Sequence, residues 1–273
     1  MSIDGSDKDF RDAIAKVYES HLVPLIFQPY AEDLVPRIAS RQPTNVLEIA
    51  AGTGVVTRAM TSGLPASVAI VATDLNQSMI DQAMAIGTAR PVEWRQADAM
   101  QLPFADGRFD AVVCQFGAMF FPDKAKAFAE VRRVLAPGGV FIFSVWDRIE
   151  ENEIPDTVTT ALAGLFPDDP PRFMARTPHG YYDRATIVRD LVDGGFTTSP
   201  EIATVAARSR ARTARDAAIA FCLGTPLRNE IEERDPNRLD DATDAATRAI
   251  EARFGRGVVD GKIQAHVVMI ENS

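Results

Sequence analysis

Between residues 45 and 146, short runs of apolar and β-branched residues alternate with segments whose apolar positions recur every three or four residues. Runs that are apolar at consecutive positions are typical of strands buried on both faces of a parallel sheet. The runs predict five strands, at Val46–Ala50, Val68–Thr73, Val92–Arg95, Ala111–Gln115 and Val140–Trp146. Since the strands alternate with helical patterns, we expect an α/β fold built from strand–helix–strand units.

Amphipathic segments fill the gaps between these strands. Their periodicity predicts helices over Val55–Ser62, over Gln77–Ile86 with Asn76 as its N-cap, and from Pro122 onward. The apolar positions of the second and third helices are Met79, Ile80, Ala83 and Met84, and Phe128, Val131 and Leu135. The segment Ala136–Gly139 is expected to end the third helix before the fifth strand.

Outside this region the pattern is more mixed. The first 41 residues indicate two helices, interrupted by Pro24 and Pro29. The predicted elements after Trp146 are a helix at Ile154–Phe166, an irregular loop at Pro167–Tyr182, a helix at Ala185–Asp193, a strand at Ile202–Ala206, a polar helical stretch at Thr213–Phe254 and a last strand at Gln264–Ile270. We therefore predict an N-terminal helical lid at 1–41 and a main domain at 42–273, with cap insertions at about 147–184 and 207–262.

Composition narrows the possible functions. The 273 residues are 46% hydrophobic and 25% charged, a balance that is ordinary for globular proteins. The net charge of −9 repels a phosphate backbone, which argues against a nucleic-acid partner. Neither Cys114 nor Cys222 has a second ligand at metal-binding spacing, so we expect no metal site and no disulfide. With no secretory signal and no run approaching the ~18 apolar residues of a membrane span, we predict a cytoplasmic protein.

The strongest chemical signal is the turn after the first strand. Glu48 lies near the end of that strand, and a Gly-x-Gly sequence at Gly52 and Gly54 opens the following helix. Glycines at such a turn let backbone N–H groups approach a ligand closely. A dinucleotide-binding turn would have a third glycine three residues after Gly54, but this chain has Thr57 there. A carboxylate beneath the turn would repel a pyrophosphate, whereas it would attract ammonium and sulfonium charges.

Polar residues also follow the next three strands. Asp74 comes twenty residues after Gly54, where a carboxylate can accept both hydroxyls of a ribose, as in NAD and other adenosine ligands. The third strand leads into Asp98 and Ala99, which offer an acceptor for an adenine amino group and an N–H for a ring nitrogen. The fourth ends at Gln115 and Phe116. Because parallel strands end at one edge of the sheet, we expect all four strand ends to meet at one ligand.

Together these residues resemble the class I S-adenosylmethionine-dependent methyltransferases, in particular the small-molecule branch similar to the ubiquinone and menaquinone biosynthesis C-methyltransferases (methyltransferase type 11). The resemblance covers about residues 40–146. The family's first motif, acidic-x-Gly-x-Gly-x-Gly, is present as Glu48-x-Ala50-x-Gly52-x-Gly54, with one alanine in place of a glycine. Further family-like runs are Leu102–Phe104 and Glu130–Gly139. The resemblance implies a Rossmann-like, mostly parallel seven-stranded sheet with helices on both faces and an antiparallel last strand.

The same resemblance implies S-adenosyl-L-methionine as cofactor and S-adenosyl-L-homocysteine as product. Five residues would surround the methionine part: Glu48, Ala50, Gly52, Thr53 and Gly54. Six would serve the adenosine part and the sulfonium: Leu75 and Met79 on the adenine faces, Asp98 and Ala99 at its amino edge, and Gln115 and Phe116 beside the sulfonium. Asp74 would take the ribose hydroxyls. Tyr18 resembles the family's aromatic residue that closes over the cofactor.

Methyl transfer from a sulfonium is an in-line displacement, so the protein mainly has to align the reactants and exclude water. Where the acceptor is a phenol or an activated carbon, a general base helps, and His179 is the candidate. We expect an O-, C- or N-methylated small acceptor, apolar or aromatic. The residues expected to face it, besides His179, are Phe27, Tyr30, Phe120, Tyr181 and Tyr182.

Two other functions are compatible with parts of this pattern. A NAD-dependent oxidoreductase would share the fold and Asp74, but the missing third glycine, Glu48 and Asp98 argue against it. A non-catalytic protein that binds S-adenosylmethionine would need the same cofactor residues. Binding of the cofactor without methyl transfer to any acceptor would favour that second alternative.

Overall fold

The strands of the chain form one seven-stranded sheet in the computed structural model, which describes residues 15–273. The strands are β1 Asn45–Glu48, β2 Ala69–Asp74, β3 Glu93–Gln96, β4 Phe109–Gln115, β5 Leu135–Trp146, β6 Glu201–Ala211 and β7 Val259–Glu271. Their order across the sheet is β3-β2-β1-β4-β5-β7-β6. Strands β1 to β3 are added toward one edge of the sheet and β4 is added on the other side of β1, so the strand order reverses between β1 and β4. Ligands bind at such a topological switch point in open α/β sheets.

The first five strands are parallel, and β7 runs antiparallel to both β5 and β6. Glu48 lies opposite Ala72 of β2 and Val113 of β4, while Trp146 of β5 lies opposite Ala265 of β7. The apolar interiors of the central strands are fully buried, as their continuous hydrophobic runs predict. The mostly parallel sheet with an antiparallel last strand is therefore confirmed.

Helices connect and surround the strands. A π-helical segment, Tyr18–Phe27, precedes α1 Gln28–Ala39. In the described part of the chain the other helices of four or more residues are α2 Val55–Gly63, α3 Gln77–Ile86, α4 Lys124–Val134, α5 Glu153–Leu165, α6 Phe173–Arg176, α7 Arg184–Asp193, α8 Ala214–Gly224, α9 Leu227–Arg234 and α10 Leu239–Phe254. Short 3₁₀ turns cover Ala118–Phe120 and Ile149–Glu151.

The helix before β5 differs from its prediction at both ends. It begins at Lys124 and not at Pro122, because Asp123 is its N-cap: the Asp123 side chain accepts the Lys126 N–H. It ends at Val134, and Leu135 is the first residue of β5, paired with Phe109 before a shift of register. Leu135 is thus buried by sheet pairing and not on a helical stripe.

Three further predictions change in detail. The stretch Thr213–Phe254 is three helices, because Pro226 and the turn at Asp235 interrupt it. Pro24 lies inside the π-helical segment, and Pro29 occupies the first turn of α1, where the missing N–H of proline is tolerated. Neither proline separates two helices by a loop. Met84 is exposed and does not share the buried face of α3.

The chain divides into two compact units. Within the described residues, one comprises 15–29, 147–180 and 206–264, and the other 30–146, 181–205 and 265–273. In the first, α10 packs on α5 and α8. In the second, Phe128, Phe141 and Phe143 form a buried aromatic cluster. The division into a lid at 1–41 and a main domain at 42–273 stays a prediction, and its first fourteen residues lie outside the described part. No helix within residues 15–273 is long and apolar enough to cross a membrane.

Candidate cofactor site at the carboxyl ends of the strands

The turn between β1 and α2 is built from alternating left-handed residues. Ala50, Gly52 and Gly54 have φ values of 54°, 56° and 83°. Glycine adopts this conformation freely, whereas alanine does so at a cost of about 1 kcal/mol. Ala50 therefore has a backbone conformation that a glycine would adopt at no cost. The alternation lets the chain reverse sharply between strand and helix.

Asp74, the last residue of β2, ties this turn to the neighbouring strand. Its Oδ2 accepts the Gly52 N–H at 2.8 Å, and its Oδ1 accepts the Asn76 N–H at 2.8 Å. Burial raises the pKa of Asp74, and the backbone hydrogen bonds oppose that shift. A carboxylate has about four acceptor positions, so Asp74 retains capacity for hydroxyl donors.

Glu48 lies beneath the turn and is buried. The Thr57 hydroxyl donates to its Oε2 at 2.5 Å. Burial, assisted by the charge of Asp74 and opposed by the Thr57 hydrogen bond and by Arg58, raises the pKa of Glu48 to about 8. The side chain therefore holds its proton at neutral pH, and a cationic ligand beside it would favour the charged form.

Arg58, on α2, contacts the turn, although the sequence did not assign it to the site. Its Nη1 donates to the Thr53 carbonyl at 2.6 Å, which holds the segment between Gly52 and Gly54 against α2. In the sequence, the contact of Arg58 with the Thr53 carbonyl is indicated only by spacing, since Arg58 lies four residues after Gly54, one helical turn into α2. Arg58 also provides the positive charge that partly offsets the burial of Glu48.

The loop after β3 carries Asp98 and Ala99 and is held from α4. Asp98 accepts the Met100 N–H at 2.8 Å. Glu130 accepts the Leu102 N–H at 2.7 Å, and Arg133 donates to the carbonyls of Leu102 and Phe104 at 2.9 and 2.7 Å. Glu130 and Arg133 also pair with each other. Sequence reasoning noted this run without a role; the structure gives it one, since the two charged side chains fix the loop that follows Asp98.

The end of β4 is fixed by aromatic packing. Gln115 is the last residue of the strand, and Phe116 follows with a left-handed φ of 54°. The Phe116 ring stacks on Trp146 at 3.8 Å, and Tyr30 meets both rings edge-on at 5.2 and 5.3 Å. The Tyr30 hydroxyl donates to the Val205 carbonyl at 3.1 Å. Tyr30 is thus a fully buried member of this cluster, although the sequence predicts that it faces the acceptor.

The predicted adenine contacts differ in exposure. Leu75 directly follows Asp74 and is 61% exposed. The Gln96 amide donates to its carbonyl at 2.8 Å. Met79, in the first turn of α3, is partly buried. Leu75 therefore offers apolar surface next to Asp74, and its contact with adenine stays a prediction.

Besides Tyr30, three predicted acceptor-facing residues lie in the same unit as β1–β5. Phe120 and Tyr182 are exposed. Tyr181 is buried; its hydroxyl donates to Asp190 at 2.8 Å, and the Lys124 ammonium lies 4.7 Å from its ring centroid. Burial raises the pKa of Tyr181, so it remains a neutral phenol. Its hydroxyl is therefore engaged within the fold, whereas Phe120 and Tyr182 present open aromatic surface.

The remaining predicted residues lie in the other unit. Tyr18 stacks on Phe27, with ring centroids 5.1 Å apart. His179 is buried, and its Nδ1 lies 2.8 Å from the Asp147 carbonyl oxygen. Burial lowers the pKa of His179 to about 4, so the imidazole is neutral at pH 7 and donates this hydrogen bond from Nδ1. In the described residues, no three His, Cys, Asp or Glu side chains are grouped as a metal site.

A known protein family matches the part of the chain that contains this candidate site. Residues 47–143 match the family described as methyltransferase domain. These residues are similar to a methyltransferase domain. The matched range contains the turn, Asp74, Asp98 and the end of β4, which are the features that carry the candidate site. It also contains Glu130 and Arg133.

Individual relatives agree with this assignment. The ubiquinone/menaquinone biosynthesis C-methyltransferase UbiE of Ectopseudomonas mendocina is 35% identical over 169 residues, which are 57% of this chain and 66% of that protein. The match therefore spans just under two thirds of the relative's length. Among solved structures, the YcgJ protein of Bacillus subtilis has a TM-score of 0.56 at 17% identity, covering 89% of this chain and 97% of its own. Phosphoethanolamine N-methyltransferase 2 of Haemonchus contortus, solved with S-adenosylhomocysteine, has a TM-score of 0.58 at 17% identity, covering 97% and 60%. These structures share the fold.

Within the matched residues 47–143, Gly117 makes room for Ala50. A Cβ at position 117 would lie 2.4 Å from the Ala50 Cβ and 2.8 Å from the Cys114 Sγ. The backbone of Gly117 is right-handed, with φ −96° and ψ −36°, which alanine adopts without strain. An alanine there would therefore be disfavoured only by the clash of its Cβ with neighbouring atoms. The methyl group that Ala50 adds to the first motif is thus accommodated by a glycine 67 residues away.

We predict that Gly117→Ala lowers the free energy of unfolding by about 2 kcal/mol through overpacking. In the double variant with Ala50→Gly, about half of this loss should be recovered, because the contact with Cys114 remains. Urea unfolding of the four members of the cycle measures the coupling. Gly164→Ala, at an open position in α5, is the control and should change stability by less than about 1 kcal/mol. Additive effects at positions 50 and 117 would contradict the steric account.

Proposed function

We propose that this protein is an S-adenosylmethionine-dependent methyltransferase that transfers the methyl group to a small-molecule acceptor. The observation that carries the proposal is the link between Asp74 and the Gly52 N–H, which joins the end of β2 to the glycine turn above Glu48. This arrangement gathers a hydroxyl acceptor, a turn of left-handed residues and a second buried carboxyl group within one unit. The match of residues 47–143 to the methyltransferase domain family supports it.

The residues at this edge of the sheet fit the cofactor chemically. Glu48 and Asp74 are both buried carboxyl groups whose pKa is raised, and a ligand bearing an ammonium and a sulfonium would favour their charged forms. A pyrophosphate would have the opposite effect. Asp74 would hold the ribose, and Glu48 and the turn would hold the methionine part. The other proposed contacts are Leu75, Met79, Asp98 and Ala99 for adenine, Gln115 and Phe116 beside the sulfur, and Tyr18 over the cofactor.

The bound cofactor supplies an activated methyl group, and the protein has to align it with the acceptor. The Phe116–Trp146 stack, with Tyr30 against it, holds the end of β4 in one conformation, as alignment requires. His179 stays our candidate for the general base. Because its Nδ1 donates to Asp147, the Nε2 atom is the proton-accepting one in this tautomer. Because its pKa is lowered to about 4, His179 is a weak base that is unprotonated at any pH above about 4.

For the acceptor we propose a small apolar or aromatic molecule, methylated on oxygen, carbon or nitrogen. Support comes from the exposed rings of Phe120 and Tyr182 and from the net charge of −9, which disfavours nucleic acid. The Ectopseudomonas relative is named for ubiquinone and menaquinone biosynthesis, which is compatible with an aromatic acceptor. The cytoplasm stays the predicted location.

Calorimetric titration of the full chain with S-adenosylhomocysteine, and separately with NADH, tests the proposal. We expect binding of S-adenosylhomocysteine with a Kd on the order of micromolar and no binding of NADH. Transfer of labelled methyl groups from S-adenosylmethionine to a panel of phenols and quinols then tests catalysis. Tight NADH binding without S-adenosylhomocysteine binding would favour the oxidoreductase, and cofactor binding without transfer to any acceptor would favour a binding protein.

A further inference from the structure

Thr57 occupies an unusual position for a hydroxyl group. It lies in the first turn of α2, is fully buried, and donates a hydrogen bond of 2.5 Å to Oε2 of Glu48. A buried threonine elsewhere in a helix commonly bonds a backbone carbonyl of the preceding turn, as Thr61 bonds the Arg58 carbonyl in the same helix. Thr57 instead bonds a carboxyl group that has almost no contact with solvent. Loss of that donor would leave the carboxyl with one fewer partner in a buried place.

The ionisable groups around Glu48 are few and lie on three elements. Asp74 on β2 disfavours the charged carboxylate, and Arg58 on α2 favours it. Cys114 on β4 is also near, but burial raises its pKa to about 12, so it contributes no charge. The Thr57 hydroxyl favours the charged form of Glu48 more strongly than the Arg58 charge does. It is therefore the main protein group that opposes the effect of burial.

We propose that Thr57 is a positioning residue for the cofactor: its hydroxyl holds the Glu48 carboxyl in one orientation and stabilises the charged form that pairs with a cationic group of the ligand. This inference rests on the proposed function. Oε2 is engaged by Thr57, and Oε1 is the atom left to interact with the ligand's ammonium or with the turn. A valine at position 57 would keep the side-chain shape without this effect.

The test compares Thr57→Val, which keeps the shape and removes the donor, with Thr57→Ser, which keeps the donor and removes a methyl. The Kd for S-adenosylhomocysteine is measured calorimetrically between about pH 6 and pH 8.5. Wild-type affinity should increase with pH as Glu48 loses its proton. Thr57→Val should weaken binding about 10-fold at pH 7 and move the rising part of the curve upward by about one pH unit. Thr57→Ser and the matched control Thr61→Val should follow the wild type.

Either of two results would overturn the inference: an unchanged pH curve in Thr57→Val, or a serine variant that shifts as far as the valine variant, since the lost methyl would then be responsible. Should Thr57→Val fail to fold, Glu48→Gln tests the group on which the inference depends, because a carboxamide does not titrate and the increase of affinity with pH should disappear. If the increase persists in Glu48→Gln, Glu48 is not the titrating group and the inference is wrong. A wild-type protein that does not bind S-adenosylhomocysteine would instead refute the proposed function.

Discussion

Replacing Asp74 with alanine is expected to weaken the binding of S-adenosylhomocysteine by at least about 100-fold, because two hydrogen bonds from ribose hydroxyls to a charged acceptor are lost together. The variant also deprives the Gly52 and Asn76 N–H groups of their acceptor, so the turn above Glu48 loses its connection to β2. Calorimetric titration of the purified variant measures the effect. Asp74→Asn should bind with intermediate affinity, since an amide oxygen still accepts.

Asp110 provides a matched control for this substitution. It is also a strand aspartate with several hydrogen bonds, accepting the Thr44 N–H and hydroxyl at 2.7 and 2.6 Å and the Asn45 N–H at 2.9 Å. It lies at the amino-terminal end of β4, however, at the opposite edge of the sheet from Asp74. We expect Asp110→Ala to lower stability and leave the Kd unchanged. Equal losses of affinity in both variants would mean that the Asp74 effect is a general loss of folding.

Replacing His179 with asparagine is expected to make the protein markedly more resistant to acid. The pKa of His179 is lowered by burial from 6.5 to about 4, so the folded state stays unprotonated while the unfolded chain takes up a proton. The stability that neutral His179 contributes is complete above pH 6.5 and is lost as the pH falls toward 4. Between these values the wild type should lose about 3 kcal/mol relative to His179→Asn.

Urea unfolding at several pH values between about 4 and 7 measures this difference. His21→Asn, at a partly exposed histidine, controls for the loss of a histidine as such. Parallel stability curves for wild type and His179→Asn would contradict the buried neutral imidazole. Turnover of a methyl acceptor by the same variant tests the general-base role. If His179 is the general base, His179→Asn turns over more slowly than the wild type, and the wild-type rate falls only as the pH approaches 4.

The parallel part of the fold could be predicted closely because each strand there is buried on both faces and each helix has its own boundary signals. Helix α3 spans Gln77–Ile86 as its periodicity predicts. Leu135 could not be placed, since an apolar residue at a helix end and one that begins a strand look the same in sequence, and only pairing with Phe109 decides between them. The π-helical segment Tyr18–Phe27 has no comparable sequence signal.

The candidate site divides in the same way. Glu48, Asp74 and the glycine turn could be singled out because their spacing along the chain is characteristic. Thr57 could only be recorded as a missing glycine, since its bond to Glu48 depends on how β1 and α2 face each other. The contacts of Arg133 with the loop after Asp98 join residues about thirty positions apart, and no local pattern specifies such a pairing.

The close approach of positions 50 and 117 restricts the order in which substitutions can accumulate in this protein. A lineage with alanine at 50 and glycine at 117 can reach glycine at 50 and alanine at 117 only by changing position 50 first, because two alanines would place their Cβ atoms 2.4 Å apart. Cys114 has to be replaced by a smaller residue or move as well. Such epistasis leaves a history in descendants, and chains related to this one should show the two methyl groups as mutually exclusive alternatives.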